Sequence, residues 1–195
     1  MIRIQNLPLP VGSDLEQLRR KAARTLGVRP GALKEIQLVR QSIDARKKQD
    51  VHYVYTVDVA VEQEQAVLSA CSARNVSRIH PVPYVFPKVS RRASTMPVVV
   101  GMGPAGLFAA LFLARNGMPC VVLERGQDVD TRTKDVERFW KDGTLDPASN
   151  VQFGEGGAGT FSDGKLTTGT HDPRIGAVID ALIEAGAPED VKWSH

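Results

Sequence analysis

The 195 residues, 42% hydrophobic and 24% charged, have the make-up of an ordinary globular protein and leave room for one large domain or two small ones. A net charge of +3 conceals an asymmetry: residues 1–90 carry 14 Lys and Arg against 8 Asp and Glu, net +6, while residues 91–195 carry 11 against 14, net −3, so two different pieces are expected. Cys71 and Cys120 stand far apart and outside any CxxC spacing, which excludes a dithiol redox pair and a secreted disulfide scaffold and suits a reducing cytoplasm.

The opening "MIRIQNLPLP" lacks the basic and apolar regions of a signal peptide, and "IRIQNLPL" within it reads as a strand. "SDLEQLRRKAARTLG" follows as an amphipathic helix, capped by Ser13 or Asp14, striped by Leu15, Leu18, Ala22 and Leu26, and stopped at Gly27. "ALKEIQLVRQSIDA" and "VHYVYTVDVAV" are strands joined by the basic turn "RKKQD". "EQEQAVLSACS" reads as a second helix and "VSRIHPVPYV" as a last strand. The order β-α-β-β-α-β predicts a small α+β, ferredoxin-like domain over residues 1–88.

That order, with net positive charge, raises a nucleic-acid reading, because Tyr53 and Tyr55 share one face of the third strand, where RNA-recognition domains stack bases. The surrounding residues lack the glycine-bearing pattern of such domains and the first strand offers no aromatic partner, so nucleic acid is not the expected ligand. Paired tyrosines are also good sheet formers. Prolines between Pro81 and Pro97, with Arg91 and Arg92, place a linker at 89–96.

"PVVVGMGPAGLFAALFLARNGMPCVVLERG" then supplies the parts of a dinucleotide fold. Met96 to Ala114 is uncharged and long enough to raise a membrane span, but Pro97, Gly101, Gly103, Pro104 and Gly106 punctuate it as strand, turn and helix start. Val98 to Val100 read as a parallel strand buried on both faces. Gly101, Gly103 and Gly106 complete GxGxxG: the first allows the tight turn, the second the approach of a pyrophosphate, the third close packing of helix on strand. Leu107, Ala110, Leu111 and Ala114 are expected on the sheet side of that helix, whose N-terminal amides face the phosphates. "CVVLE" ends at Glu124, placed about 20 residues beyond the glycines as a ribose-binding acid. Arg125 beside it could receive a 2′-phosphate, but with Glu124 present an unphosphorylated ribose is favoured. NAD and FAD both use this fingerprint.

"VVVGMGPAGLFAALFLARNG", "VVLERGQDVDTRTKDVERFW" and "NVQFGEGGAGTFSDGKL" together resemble the FAD-dependent dehydrogenase family of bacterial NAD(P)/FAD-dependent oxidoreductases, in which a domain of about this size precedes the flavin domain. The resemblance implies FAD, with Gly101, Gly103, Pro104, Ala105 and Gly106 at the pyrophosphate, Glu124 at the adenosine ribose and Arg132 as a further phosphate or ribose contact. It also implies a Rossmann-type α/β domain with a parallel sheet over residues 97–195, partial in this chain, and a parent enzyme that continues beyond it. NAD(P)H is a candidate electron donor; the substrate and the oligomeric state stay open.

"GAGTFSDGKL" gives Gly159, Gly164 and Lys165 the spacing of an ATP-binding P-loop, yet the position of the magnesium-holding hydroxyl is Leu166, with Thr167 one residue late, and no buried strand precedes it. The better reading is a second glycine-rich loop of the flavin domain, in which Gly154, Gly156, Gly157, Ala158 and Gly159 bring backbone amides to FAD and Thr160 and Ser162 add hydroxyls. Glu155, Asp163, Lys165 and His171 are the titratable groups nearby, and their spacing singles out none as catalytic. His52, His80 and His195 lack metal-ligand spacing, and Cys120 reads as a small core residue. The expected protein is thus a cytoplasmic FAD oxidoreductase. The rivals are an NAD-dependent dehydrogenase and a non-catalytic flavin-binding or RNA-interacting protein.

Overall fold

The structure, a computed structural model, describes residues 1–82, 84–162 and 172–193. In chain order the elements are β1 (Ile2–Pro10), α1 (Leu15–Leu26), β2 (Leu33–Asp44), β3 (His52–Val61), α2 (Glu64–Ala70), β4 (Val76–Arg78), β5 (Val98–Val100), α3 (Pro104–Arg115), β6 (Val121–Leu123), α4 (Val129–Asp142) and α5 (Arg174–Glu184). Short 3-10 turns lie at Pro30–Ala32, Gly157–Phe161 and Glu189–Lys192. Contacts group Met1–Tyr84 with His171–His195 in one compact unit and Val85–Thr170 in a second. The sequence predicts one domain over 97–195, whereas α5 groups by contacts with the first unit.

In the first unit four antiparallel strands lie in the order β2-β3-β1-β4. The pairing of β1 with β3 shifts between Ile4 and Leu7, where Asn6 takes a positive φ of 53°. This bulge inverts the strand's parity, so that Ile2, Ile4 and then Leu7 all reach the core. Leu33, Tyr55, Val57 and Val59 join them, and α1 closes the core with Leu18, Ala22, Ala23 and Leu26. Asp14, not Ser13, caps α1: its carboxylate accepts from the Gln17 amide at 2.7 Å while its own amide donates to the Gln17 side chain at 2.9 Å. Gly27 ends the helix at φ 70°. Leu15, in the first turn, stays outside the expected stripe and is exposed.

Tyr55 is buried in this core, with the Tyr53 ring edge-on at 5.9 Å, so the tyrosines face the helix-covered side of the sheet. On the opposite side Arg3 clamps the buried Asp58 through Nε and Nη2 at 2.7 and 2.8 Å. The last predicted strand shrinks to β4, since its register with β1 ends at Arg78 and Pro81 has no amide to extend it. Beyond α5 the 3-10 turn Glu189–Lys192 is followed by Trp193, whose carbonyl accepts from the Gln41 amide at 2.8 Å.

In the second unit β5 and β6 pair in parallel, Val98 with Val121 through Val100 with Leu123, and α3 links them. Val99 points toward α3, its Cγ1 lying 3.4 Å from where a Cβ on Gly106 would stand. The alternate residues point away, leaving Val98 57% and Val100 82% exposed, so the strand expected to be buried on both faces is covered on one. On α3, Leu107 and Ala114 are exposed, while Ala110 and Leu111 are half-buried as the sheet side requires. Cys120 is half-buried, short of the core position expected for it. Among the described residues no helix is long and apolar enough to cross a membrane.

Candidate functional site

The second unit gathers its glycines at the carboxyl end of β5. Gly101, at φ 96°, turns the chain out of the strand and donates its amide to the Leu123 carbonyl at 2.7 Å. Gly103 caps α3 without a side-chain hydrogen bond, and Pro104 takes the first helical position, where a missing amide costs nothing. An uncapped helix start presents amides and the positive end of the helix dipole to anions. The glycines are required for different reasons. A Cβ on Gly106 would overlap the Gly101 carbonyl oxygen, so that position is fixed by the packing of α3 on its own turn. A Cβ on Gly103 would have the Gly157 Cα, 3.9 Å away, as its nearest neighbour, so the protein itself leaves that space open.

A second glycine-rich segment closes on this turn. The Gly156 amide donates to the Met102 carbonyl at 2.9 Å, and the Glu155 amide to the Gln127 carbonyl at 3.1 Å. Gly154, Gly156 and Gly157 hold φ of 123°, 86° and 69°, conformations that side chains resist. Backbone meets backbone here: a Cβ on Gly157 would stand 3.0 Å from the Gly103 Cα, and one on Gly126 would stand 2.5 Å from the Gly154 Cα.

Arg132, on α4, is wholly buried beneath this segment. Its Nε donates to the Asn150 carbonyl at 2.9 Å, Nη2 to those of Gly157 and Val151 at 2.8 and 3.0 Å, and Nη1 to that of Glu155 at 2.6 Å. Weaker contacts from Nη1 reach the Thr160 hydroxyl at 3.3 Å and the Gly154 carbonyl at 3.4 Å. The Phe161 ring lies under the guanidinium, 4.9 Å from Cζ. Burial pulls the guanidinium below its ordinary value, opposed by the charge of Glu124. The resemblance implies a phosphate or ribose contact for Arg132; in the structure its donors are engaged by backbone carbonyls.

Glu124 directly follows β6, its carboxylate accepting from the amides of Met102 at 2.5 Å and Gly126 at 2.9 Å. The Gly126 and Met102 amides hold its carboxyl below the usual range, against the opposing effect of burial. The Arg125 and Gly154 amides lower it further, and the carboxylate borders the open cleft. Beside it the Arg125 guanidinium stacks on the Phe153 ring, 3.8 Å from the centroid. An open cleft of about 300 Å³ is lined by Gly101, Gly103, Glu124, Arg125, Phe153 and Gly157, with Val100, Leu123, Gln152 and Gly154 completing it. A larger hollow of about 540 Å³ lies at the β2–β3 hairpin among Asp44, Arg46, Lys47, Asp50 and His52. Arg46 grips Asp44 there at 2.6 Å and the Asp44 carboxyl falls to about 2, which is the behaviour of a solvated, self-paired turn.

The sequence-predicted residues therefore divide. Gly101, Gly103, Glu124, Arg125 and Gly157 line one cleft, with Pro104, Ala105 and Gly106 in the adjoining first turn of α3. Ala158, Gly159 and Thr160 continue from the loop into the 3-10 turn. The Thr160 hydroxyl contacts Arg132 and the Glu155 carbonyl at 3.4 Å. Glu155, weighed as an acid or base, instead caps α4, accepting from the Val129 amide at 2.7 Å. Asp163, Gly164, Lys165 and His171 lie outside the described residues. Sequence reasoning passed over Phe153, Gln152 and Gly126. An aromatic next to "GEGG" and a glycine directly after Glu124 and Arg125 were the available signals.

Residues 94–136 match a family model described as an FAD binding domain, and residues 1–60 match one described as a domain of unknown function (DUF8436). The first match runs through β5, α3 and β6 into α4, taking in the GxGxxG turn, Glu124 and Arg132 but not the second glycine loop. It supports a flavin-binding domain in this stretch. An uncharacterized protein of Clostridium beijerinckii (strain ATCC 51743 / NCIMB 8052) is 46% identical over 194 residues, 98% of this chain and 36% of that relative. The chain thus spans about a third of the relative's length.

Proposed function

We propose that the chain contributes the adenosine and pyrophosphate end of an FAD site in a flavin-dependent oxidoreductase, with a ferredoxin-like domain ahead of a Rossmann-type one. The observation that carries the reading is the cradle at Gly103: an uncapped helix start faces space that the protein leaves unfilled, between Glu124 and the second glycine loop. The residues fit the cofactor. The α3 amides would meet the pyrophosphate, and Glu124 would accept from the ribose hydroxyls while its charge repels a 2′-phosphate. FAD, when bound, supplies a ring that takes up a hydride or electrons, and the protein supplies orientation and electrostatics. The match to an FAD binding domain favours flavin over NAD as the tightly held group. The substrate remains outside this reading.

Gly103→Ala separates binding from folding. The new methyl meets the protein at no less than 3.9 Å, so stability holds, while the cradle is filled. Titration of the purified chain with FAD, followed by quenching of flavin fluorescence, is expected to give saturable binding that Gly103→Ala and Glu124→Ala weaken. Absence of FAD binding, or binding of NADH in its place, refutes the proposal.

A further inference from the structure

Arg132 is a cation taken wholly out of water with no carboxylate among its hydrogen-bond acceptors. Burial of a charge is costly unless other groups compensate it, and here the compensation comes from the carbonyls of Asn150, Val151, Glu155 and Gly157. Those carbonyls belong to the segment whose Gly156 amide bonds Met102 and whose Gly157 abuts Gly103. Drawing the carbonyls toward α4 sets the orientation of the intervening peptides. The fit is close enough that a Cβ on Gly154 would stand 2.5 Å from the Arg132 Cδ. The arginine in "TRTKDVERF" and the glycines of "FGEGG" are thus parts of one device.

We propose that Arg132 is a positioning residue for the cofactor: its guanidinium gathers the carbonyls of the second glycine loop and so seats Gly157 against the dinucleotide turn. The inference rests on the flavin reading above. The loop without its cation has two states, seated and unseated, and only the seated one completes the cleft. If it is seated about a tenth of the time, the apparent FAD affinity falls about tenfold. Lysine keeps the charge but presents it as a point, without the planar fork that reaches acceptors on several sides.

The test uses the full chain with Arg132→Lys and Arg132→Ala. FAD affinity is measured by flavin fluorescence; the emission of Trp140, edge-on to Phe161 at 6.4 Å, reports in a Trp193→Phe background whether the loop is seated, and far-UV circular dichroism shows whether the helices are folded. The first unit's denaturation is followed in parallel. The expected result is an affinity loss of about tenfold in both variants, with Trp140 emission shifted as Phe161 leaves it and the far-UV circular dichroism of the helices kept. Low millimolar guanidinium ion, but not sodium at equal ionic strength, should restore Arg132→Ala. Parental affinity in folded Arg132→Lys overturns the proposal and leaves the flavin reading standing, as does failure of guanidinium to restore binding. If the parent chain binds no FAD, both fall together.

Discussion

The paired substitutions Gly157→Ala and Gly159→Ala test whether the second glycine loop is built around close backbone approach or merely rich in glycine. Gly157 holds φ 69°, and a Cβ there would stand 3.0 Å from the Gly103 Cα and 3.1 Å from the Pro104 Cδ. Carbon atoms pack at about 3.5–4.0 Å, so the loop or α3 must give way by several tenths of an ångström. Left-handed backbone costs a residue bearing a Cβ about 1–2 kcal/mol, and overpacking a tight contact adds about 1–3 kcal/mol. The lower end of the sum, about 2 kcal/mol, already corresponds to about a thirtyfold loss of FAD affinity if it falls on the seated loop. Two positions on, Gly159 has no positive φ and open space where its Cβ would stand, so alanine should be neutral or stabilise by about 0.5–1 kcal/mol. Urea denaturation read by Trp140 in a Trp193→Phe background, with FAD titration beside it, measures both. Equal behaviour of the two variants refutes the reasoning, since composition is matched and only the contacts differ.

Gly106→Ala should be more damaging than either, because its Cβ would overlap the Gly101 carbonyl oxygen and part α3 from β5; far-UV circular dichroism and denaturation should show the second unit losing about 3 kcal/mol or more. Asp58→Ala removes the acceptor of both Arg3 bonds from a site where the carboxylate is 7% exposed and should cost about 2 kcal/mol in the first unit's denaturation, with FAD titration unchanged. The Glu124 carboxyl is held below its usual 4.5 in the folded chain, so its stabilising contribution is full above that value and disappears as pH falls through the depressed one. An acid titration of Trp140 emission should therefore show a transition below pH 4.5 that Glu124→Gln flattens; an unchanged acid limb in the variant counts against the amide cradle.

What could be read in the sequence was what local chemistry decides. A polar cap at Ser13 or Asp14 before an apolar stripe is enough to start α1, though only the structure selects Asp14 with Gln17, and Gly27 is enough to stop it. The strand, GxGxxG and acid of the second unit are likewise consecutive in the chain, and their order alone dictates a turn that ends in a helix. The bulge at Asn6 was not legible, because it exists only in the pairing of β1 with β3, fifty or so residues away. Val98 and Val100 looked buried because apolar runs usually are; their exposure depends on which layers cover the sheet. Arg132 was the least legible of all. A basic residue on a polar helix face looks like a ligand contact, and nothing in its neighbourhood reports that backbone carbonyls from residues 150–157 will surround it.

The same contrast explains how the cleft distributes its chemistry. Three close approaches at or beside it, Gly106 on Gly101, Gly126 on Gly154 and Gly157 on Gly103, join backbone to backbone, so part of its wall is peptide groups set among the side chains of Glu124, Arg125 and Phe153. Peptide amides cannot be substituted one by one, and their direction depends on what holds the carbonyls behind them. In this unit that holding falls to two ionised side chains: Glu124, which lines the cleft, takes the amides of Met102 and Gly126, and Arg132, which does not, takes the carbonyls of the second loop. A negative group therefore holds backbone donors of the first turn and a positive group holds backbone acceptors of the second loop. Changing the charge at Arg132 should alter the backbone that lines the cleft without removing a side chain that borders it. For that reason substitutions at Arg132 and at Gly157 are expected to have the same binding phenotype although only one of the two residues lines the cleft.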